Sequence, residues 1–398
     1  MSVLIKNARI ITPYGVLEDR VVVVKEGKIV GIVKESEPDD DSFDEVIDAG
    51  GRYLSPGFID IHNHGNSGHD VMEATFEALD AMAKFHASRG VTGFLATTMT
   101  ASHDEIKGAL KNVAGYIQKQ EKSFGNEGVR ESYGARLLGA YLEGPYFSMA
   151  KKGAQPPEYI KNPDIGELED LIEVSGNNIK VAAIAPELPG STEAIQYLRS
   201  RSITVSAAHT DATYDEAMKG IECGITQVTH VFNGMRSFSH REPGIVGAAL
   251  TDERVCCEMI CDGIHLHPAA MKLVAGIKGS DRVILISDAM MACGLSDGEY
   301  ELGGQKVFVK DRAARLADGT LAGSTLTLDR AVYNMVHMVG VALCDAVRMV
   351  TLNPARAIGL SHKKGSIETG KDADLVIFDE NINISMVMVA GREAKWFL

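Results

Sequence analysis

The sequence predicts an α/β protein: a TIM-like (β/α)8 barrel with a small β-sandwich domain built from both chain termini. Three observations support this prediction. Eight buried-strand patterns alternate with helical or loop segments in the middle of the chain, and strand patterns without helices occupy both ends. The length of 398 residues exceeds the roughly 250 that such a barrel needs, which leaves enough chain for one small second domain.

Both ends of the chain have the composition of short strands. The first 57 residues contain VLIKNARII, VVVVKEGKIVGIVK and VIDAGGRYLSPG, separated by glycines and by the acidic loop EPDDDSFDE. Near the other end, GSIETGKDADLVIFD and ISMVMVAGREAKW are also rich in β-forming residues. We therefore expect residues 1–56 and 360–398 to form the small β-sandwich domain, and residues 57–359 to form the catalytic barrel.

The middle of the chain supplies the eight barrel strands. They are predicted at GFIDIH (57–62), VTGFLATTM (91–99), LLGAYLEG (137–144), KVAAIAPE (180–187), TVSAAHT (204–210), QVTHVFN (227–233), VCCEMICDG (255–263) and VILISDA (283–289). Two further helices, at about 325–339 and 342–352, would close the barrel. Apolar strands that alternate with helices indicate a parallel sheet, and eight of them favour closure over an open doubly wound sheet. No GxGxxG follows the first strand, which argues against dinucleotide binding.

The composition excludes several classes of function. A formal net charge of −14 argues against a protein that binds nucleic acid or a membrane surface, because both need clustered cations. No run approaches 18 apolar residues, and the first ten residues lack a basic region and a cleavage site. The six cysteines form no CxxC pair, so reduced thiols and a cytoplasmic location are expected.

Six polar residues fall at the carboxyl ends of five predicted barrel strands, where catalysis takes place in this fold. They are His62, His64, Glu143, His209, His230 and Asp288. Each alone has a structural explanation: a histidine hydrogen-bonded within the core, a loop cap at Glu143 or a helix N-cap at Asp288. The coincidence of all six at one barrel mouth favours a metal site.

The ligand types indicate the class of metal but not its identity. Imidazole and carboxylate groups without thiolate suit zinc, iron, cobalt, nickel or manganese, with zinc our first expectation. Glu143, His209 and His230 form a three-ligand set that leaves a position for water, as a catalytic zinc requires. His62, His64 and Asp288, with Glu143 as a bridge, are suited to a second metal. One or two ions per subunit are therefore both compatible with the sequence.

Several longer stretches resemble a known family. PGFIDIHNHG, LEGPYF followed by KKGAQPPEYI, SAAHTDATYDEA, THVFNGM, HREPG, CDGIHLHP, LISDAM and LAGSTLTLD are similar to motifs of the amidohydrolase superfamily, and within it of the N-acetylglucosamine-6-phosphate deacetylases. The resemblance implies that Glu143, His209 and His230 bind the principal metal and that Asp288 is the catalytic acid/base. KVAAIAPE has no lysine at its end, which counts against the hydantoinase-like and urease-like branches.

The same resemblance implies which residues contact a sugar-phosphate substrate. They are Ala154, Gln155, Asn233, Gly234, Arg241, Asp262, Gly263, Ile264, His265, Leu321, Ala322 and Gly323. Among them, Arg241 is the candidate for the phosphate because a guanidinium matches phosphate oxygens; the alternative is an interdomain or surface salt bridge. Asn233 and Gly234 would offer backbone N–H groups to the same anion. His265 would stabilise the oxyanion of the attacked amide.

Alternatives to this function stay open at this point. Another amidohydrolase, such as a D-amino-acid deacetylase or a deaminase, and a non-catalytic ligand-binding barrel are the rival interpretations. Lys151 and Lys152 could line the pocket or belong to a solvated loop, with the loop favoured, and His240 could assist Arg241. Cys293 could be reactive or simply packed. The resemblance also implies a homodimer in which a neighbouring subunit contributes to the phosphate pocket.

Overall fold

The N-terminal segment folds into strands, as predicted. In a computed structural model, residues 1–124 and 134–394 are described. The first seven strands are β1 (Ser2–Lys6), β2 (Arg9–Thr12), β3 (Gly15–Leu17), β4 (Arg20–Lys25), β5 (Lys28–Lys34), β6 (Glu45–Asp48) and β7 (Tyr53–Pro56). Four of them form a sheet in the order β5-β4-β1-β6. The acidic segment before β6 contains only one short 3-10 turn, at Asp40–Ser42.

The eight predicted barrel strands are all present. They are β8 (Phe58–Asp60), β11 (Val91–Thr97), β12 (Arg136–Leu142), β13 (Ile179–Ile184), β14 (Thr204–Ala207), β15 (Ile225–Val228), β16 (Cys256–Ile260) and β17 (Val283–Ile286). A small hairpin of β9 (Gly65–Asn66) and β10 (His69–Asp70) follows β8. The eight strands pair in parallel and in chain order. This confirms the predicted fold class.

The two ends of this sheet meet beyond the last ladder pairs. Asn63, after β8, forms a parallel bridge with Ala289, after β17. The Asp288 N–H donates to the His62 carbonyl oxygen at 2.9 Å, and the His64 N–H donates to the Ala289 carbonyl oxygen at the same distance. The backbone next to the predicted metal ligands therefore joins the first and the last barrel strand.

Helices cover the outside of the parallel sheet. They are α1 (Phe76–Ser88), α2 (His103–Phe124), α3 (Ile165–Val174), α4 (Ser191–Ser200), α5 (Tyr214–Cys223), α6 (Gly244–Thr251), α7 (Pro268–Lys278), α8 (Leu328–Asn334), α9 (Leu343–Val350) and α10 (Leu352–Ala357). The helix predicted at 325–339 is α8 continued by a π-helical turn, Met335–Val339. The helix predicted at 342–352 is α9, which α10 follows directly. Among the described residues, no helix is long and apolar enough to cross a bilayer.

An inserted antiparallel sheet, which was not predicted from the sequence, lies between β17 and α8. Its strands are β18 (Gly298–Leu302), β19 (Gln305–Lys310) and β20 (Ala313–Arg315). Gly303 and Gly304 form the two-residue turn between β18 and β19, both with positive φ (55° and 71°), which is the glycine signature of a tight hairpin. The signal was therefore present in the alternating sequence GEYELGGQKVFVK.

The chain returns to the terminal sheets after α10. The last strands, β21 (Leu375–Phe378), β22 (Ile384–Val389) and β23 (Arg392–Glu393), extend a six-stranded sheet of order β23-β22-β21-β7-β2-β3. A separate apolar core lies between the terminal sheets and contains residues from both chain ends, such as Ile5, Ile10 and Leu375. The β-rich unit built from both termini is therefore present, while its limits at 56/57 and 359/360 stay predictions.

Candidate metal centre and active-site cavity

The structure brings together all six polar residues predicted at the strand ends. His62 and His64 follow β8, Glu143 follows β12, His209 follows β14, His230 follows β15 and Asp288 follows β17. All six residues are buried. Their side chains form two groups, His62–His64–Asp288 and Glu143–His209–His230, and the potential ligand atoms within each group lie within 4.8 Å of one another.

Glu143 belongs to the second group and also contacts both histidines of the first. Its Oε1 is 3.2 Å from Nε2 of His230 and 3.5 Å from Nε2 of both His209 and His62. Its Oε2 is 3.2 Å from Nε2 of His64. On the opposite side, Asp288 Oδ1 is 3.4 Å from Nε2 of His62 and 3.3 Å from Nε2 of His64. One carboxylate thus faces four imidazole rings, which suits a position shared by two metal ions.

The donor set fits a divalent transition metal. Four imidazole nitrogens and two carboxylates converge without a thiolate, the combination that zinc, iron, cobalt, nickel and manganese accept. His62 Nε2 is fully buried and forms no hydrogen bond with any residue that the structure describes, although it faces both carboxylates. A buried nitrogen of this kind normally has a partner. A metal ion would satisfy it.

Three of these residues have an unusual backbone conformation. His209, His230 and Asp288 adopt φ values of 42°, 32° and 48°, in the left-handed region that non-glycine residues rarely occupy. Each lies just beyond the end of a barrel strand. Strain of this kind persists only where the surrounding structure enforces it, and it occurs preferentially at functional sites.

The charges of the cluster depend on one another. Burial lowers the pKa of an imidazole, but the carboxylates of Asp288 and Glu143 reverse this effect and raise the pKa of His62 to about 9. The pKa of His64 is raised well above its usual value for the same reason. Burial opposes ionisation of Asp288 and Glu143. The neighbouring imidazoles nevertheless lower the pKa of Asp288 and lower the pKa of Glu143 well below its ordinary value. Without metal, protons would supply the positive charge that these carboxylates need.

Three of the imidazoles are oriented by contacts of their other ring nitrogen. Nδ1 of His209 lies 2.9 Å from the carbonyl oxygen of Lys151, and Nδ1 of His230 lies 3.1 Å from that of Asn233. Nδ1 of His62 lies 3.1 Å from a carboxylate oxygen of Glu258. Such contacts fix which nitrogen faces a metal. Glu258 was not predicted from the sequence, although an acid within the otherwise apolar strand CCEMI was a usable signal.

A cavity of about 370 Å³ opens above this cluster. Seven predicted substrate residues line it: Ala154, Gln155, Asn233, Gly234, His265, Leu321 and Gly323. Gln155 also donates from Nε2 to Glu143 Oε2 at 3.0 Å, so it contacts the metal cluster directly. Gly234 lies so close to the His209 ring that a Cβ there would be 2.8 Å from Nδ1. Only glycine fits this turn without moving a predicted ligand.

Five predicted substrate residues do not line the cavity of their own chain: Arg241, Asp262, Gly263, Ile264 and Ala322. Arg241 is exposed in the Ser239–Glu242 turn and is not among the residues that line this cavity. The Asp262 carboxylate instead accepts from the N–H groups of Ile264 and His265 and contacts His265 Nδ1 at 2.6 Å. It therefore orients a cavity residue. Ala322 is fully buried in a small apolar core with Met290 and Val307.

The cavity also has lining residues that the sequence analysis did not identify. Met99 follows β11, while Leu302, Arg315 and Thr320 come from the inserted sheet and its connection. Arg315 Nη1 donates to the Gly319 carbonyl oxygen at 2.8 Å. Among the described lining residues, Arg315 is the one lysine or arginine. The inserted sheet thus contributes both a wall and a positive charge.

The four residues without an assigned role are also placed. Lys151 lies 3.6 Å from Asp211, and neither it nor Lys152 lines the cavity, in keeping with the loop interpretation. His240 is exposed beside Arg241. Cys293 is buried, its Sγ faces the carbonyl oxygens of Thr325 and Leu326, and burial raises its pKa. A thiol of this kind is unreactive.

Comparisons with known proteins agree with this geometry. The amidohydrolase family matches residues 53–394. The chain is 39% identical over 396 residues to N-acetylgalactosamine-6-phosphate deacetylase of Escherichia coli O157:H7, with 100% of each chain covered. It is 39% identical over 393 residues to N-acetylglucosamine-6-phosphate deacetylase of Bacillus subtilis, with 99% of this chain and 97% of that one covered. The crystal structure of N-acetylglucosamine-6-phosphate deacetylase from Pasteurella multocida is similar, with a TM-score of 0.91, 31% identity and 99% of both chains covered.

Proposed function

This chain belongs to the amidohydrolase family, and we propose that it hydrolyses the acetamide of N-acetylglucosamine 6-phosphate to give glucosamine 6-phosphate and acetate. The observation that carries the proposal is the convergence of two carboxylates and four imidazoles beside a cavity large enough for a sugar phosphate; all of them line the cavity except His62, which is completely buried. Near-full-length relatives with this activity support the substrate class.

The family is metal-dependent, and we propose that Glu143, His209 and His230 hold the principal ion, with zinc the first candidate. His62, His64 and Asp288 would hold a second ion, with Glu143 between the two. Bound there, a divalent metal lowers the pKa of water and polarises an amide carbonyl.

Asp288 is the proposed acid/base of the reaction. Its carboxylate lines the cavity and its pKa is lowered, so at neutral pH it is ionised and can accept the proton of the attacking water. The same group then delivers that proton to the leaving amine nitrogen. His265 lines the cavity while Asp262 engages its Nδ1, which leaves Nε2 to hydrogen-bond the substrate amide or a hydroxyl.

Two arginines are candidates for the phosphate. Arg315 lines the cavity of its own chain. Arg241 is exposed outside that cavity, and we propose that it reaches the phosphate in the neighbouring copy of a homodimer. Asn233 and Gly234, which line the same cavity, would add polar contacts to the anion.

Acetate release tests the proposal. Metal-loaded protein should release acetate from N-acetylglucosamine 6-phosphate, lose this activity after chelation and recover it when metal is returned. Unphosphorylated N-acetylglucosamine should react much more slowly at the same concentration. No turnover by protein of verified metal content would refute the proposal.

A second substrate is favoured by one comparison. The N-acetylgalactosamine-6-phosphate deacetylase from Escherichia coli O157:H7 and the N-acetylglucosamine-6-phosphate deacetylase from Bacillus subtilis are both 39% identical to this chain. The two substrates differ only in the configuration at one hydroxyl. The ratio of kcat/KM for the two sugar phosphates, measured on one metal-loaded preparation, decides between them.

A further inference from the structure

Glu258 is a charged residue in the middle of barrel strand β16. Its side chain is completely buried. Within residues 1–124 and 134–394, the ion pair of its carboxylate is with His62, and no lysine or arginine pairs with it. A buried carboxylate is costly unless its environment satisfies it, so an apolar residue would be less costly at this place in the core. The contacts of Glu258 should therefore explain why a carboxylate occupies this position.

Two neighbours engage the two oxygens of this carboxylate. Oε2 lies 3.1 Å from Nδ1 of His62. Oε1 accepts from Nε2 of Gln227 at 2.5 Å, which anchors the carboxylate from the adjacent strand β15. The ring of Tyr141 packs against the His62 ring with 4.6 Å between centroids. The imidazole is thus held on one edge by Glu258 and on one face by an aromatic ring.

This contact determines which nitrogen of His62 faces the metal cluster. A carboxylate accepts a hydrogen bond, so the Nδ1 that faces Glu258 must carry a proton. In the neutral ring, the lone pair is then on Nε2, which lies 3.5 Å from Glu143 Oε1 and 3.4 Å from Asp288 Oδ1. Among residues 1–124 and 134–394, Nε2 has no hydrogen-bond partner. The ring is therefore ready to bind a cation between these two carboxylates.

We propose that Glu258 is a positioning residue that keeps the His62 ring in this orientation, so that His62, His64 and Asp288 can hold a second divalent metal ion. The inference rests on the proposed metal-dependent function. The carboxylate also makes the imidazole a stronger ligand, and loss of such a partner typically weakens metal binding about 10- to 100-fold.

The proposal predicts an effect on only one of the two metals. The imidazoles of the principal group, His209 and His230, are oriented by backbone carbonyls and not by Glu258. A change at Glu258 should therefore spare the ion bound by Glu143, His209 and His230. A general loss of structure would weaken both sites together.

Metal binding without substrate tests the proposal. Wild-type protein, Glu258→Leu and Glu258→Gln are stripped, reloaded in zinc buffers of known free concentration and analysed for bound metal. We expect about two ions per chain in the wild type and about one in Glu258→Leu, which has no acceptor for Nδ1. In Glu258→Gln the amide oxygen can still accept, so the second ion should bind about 10- to 100-fold more weakly but still fill at high zinc.

Two controls separate positioning from a general effect on folding. Asn334→Leu removes another buried polar side chain, one that donates to the Cys261 carbonyl oxygen just beyond β16, and should keep both ions. In a His62→Ala background, Glu258→Gln should cause no further loss of metal, because its effect passes through His62. If Glu258→Leu does not fold, Glu258→Gln carries the test alone.

Three results would overturn the proposal. The first is a wild-type protein that saturates at one ion; the second is unchanged affinity for both ions in the Glu258 variants. The third is an equal loss of both ions. Because no substrate is involved, protein that binds two ions but releases no acetate would refute the deacetylase function and leave the role of Glu258 intact.

Discussion

Asp288 has two possible tasks at the level of the single residue: it faces His62 and His64 within the metal cluster, and it also lines the cavity. We expect Asp288→Asn to lower kcat about 10²- to 10⁴-fold, the usual contribution of a general acid/base, because the amide cannot accept the water proton. Acetate release measures the loss, and metal analysis should show that Glu143, His209 and His230 keep their ion. Asp104→Asn, at an exposed position on α2, is the matched control. An active Asp288→Asn variant would contradict the assignment.

The imidazoles of the cluster predict an unusual pH dependence for the metal-free protein. The pKa of His62 is about 9 in the folded chain, against 6.5 for an ordinary histidine. Its contribution to stability is therefore complete below pH 6.5 and is lost as the pH rises through 9. We expect the Tm of chelated protein to decrease as the pH rises from 6.5 to 9. Because metal replaces the protons, the Tm of loaded protein should stay nearly constant over this range.

A variant separates His62 from other groups that titrate in this window. His62→Gln, after chelation, should show a weaker fall of Tm between pH 6.5 and 9 than the parent. The lowered pKa values of Asp288 and Glu143 affect stability at acidic pH. The stabilisation that these two carboxylates provide is lost as the pH falls below the ordinary carboxyl range. A chelated protein whose Tm rises from pH 6.5 to 9 would show that the imidazoles are not protonated.

At the level of secondary-structure elements, the inserted sheet β18–β20 supplies the one lysine or arginine among the described residues that line the cavity. Gln305 on β19 donates to the Ala154 carbonyl oxygen, and Arg315 on β20 lines the cavity. We expect Arg315→Gln to lower kcat/KM for the phosphorylated sugar about 10- to 100-fold, the size of a hydrogen bond to a charged group, through KM. Activity on an unphosphorylated N-acetyl sugar should change little. Arg312→Gln, at an exposed position in the turn between β19 and β20 and outside the cavity, is the control.

The barrel strands and the metal ligands could be predicted from the sequence, whereas the contribution of the inserted sheet to the cavity could not. The barrel strands were predictable because each is a short apolar run followed by a polar strand end, and the six candidate ligands follow from that register. The place of Arg315 in the cavity lining could not be predicted, because its strand reaches the cavity only through the tertiary packing of the inserted sheet. Asp262 shows the converse: its place in the motif CDGIH suggests a substrate contact, yet its carboxylate orients His265. Sequence order carries no information on such side-chain pairing across a loop.

At the level of the whole molecule, the exposed position of Arg241 leads to a test of assembly. If Arg241 acts in the cavity of a neighbouring copy, Arg241→Gln and Asp288→Asn damage different chains of one homodimer. Mixed dimers would then contain one site with an intact Asp288 and an intact Arg241 from the partner copy. We expect a mixture of the two variants, unfolded and refolded together, to recover activity at low substrate, up to roughly a quarter of the wild-type level because half of the dimers are mixed and each has one complete site. Each variant refolded alone is the control. A mixture no more active than the average of the two would place Arg241 in its own chain or outside the phosphate site.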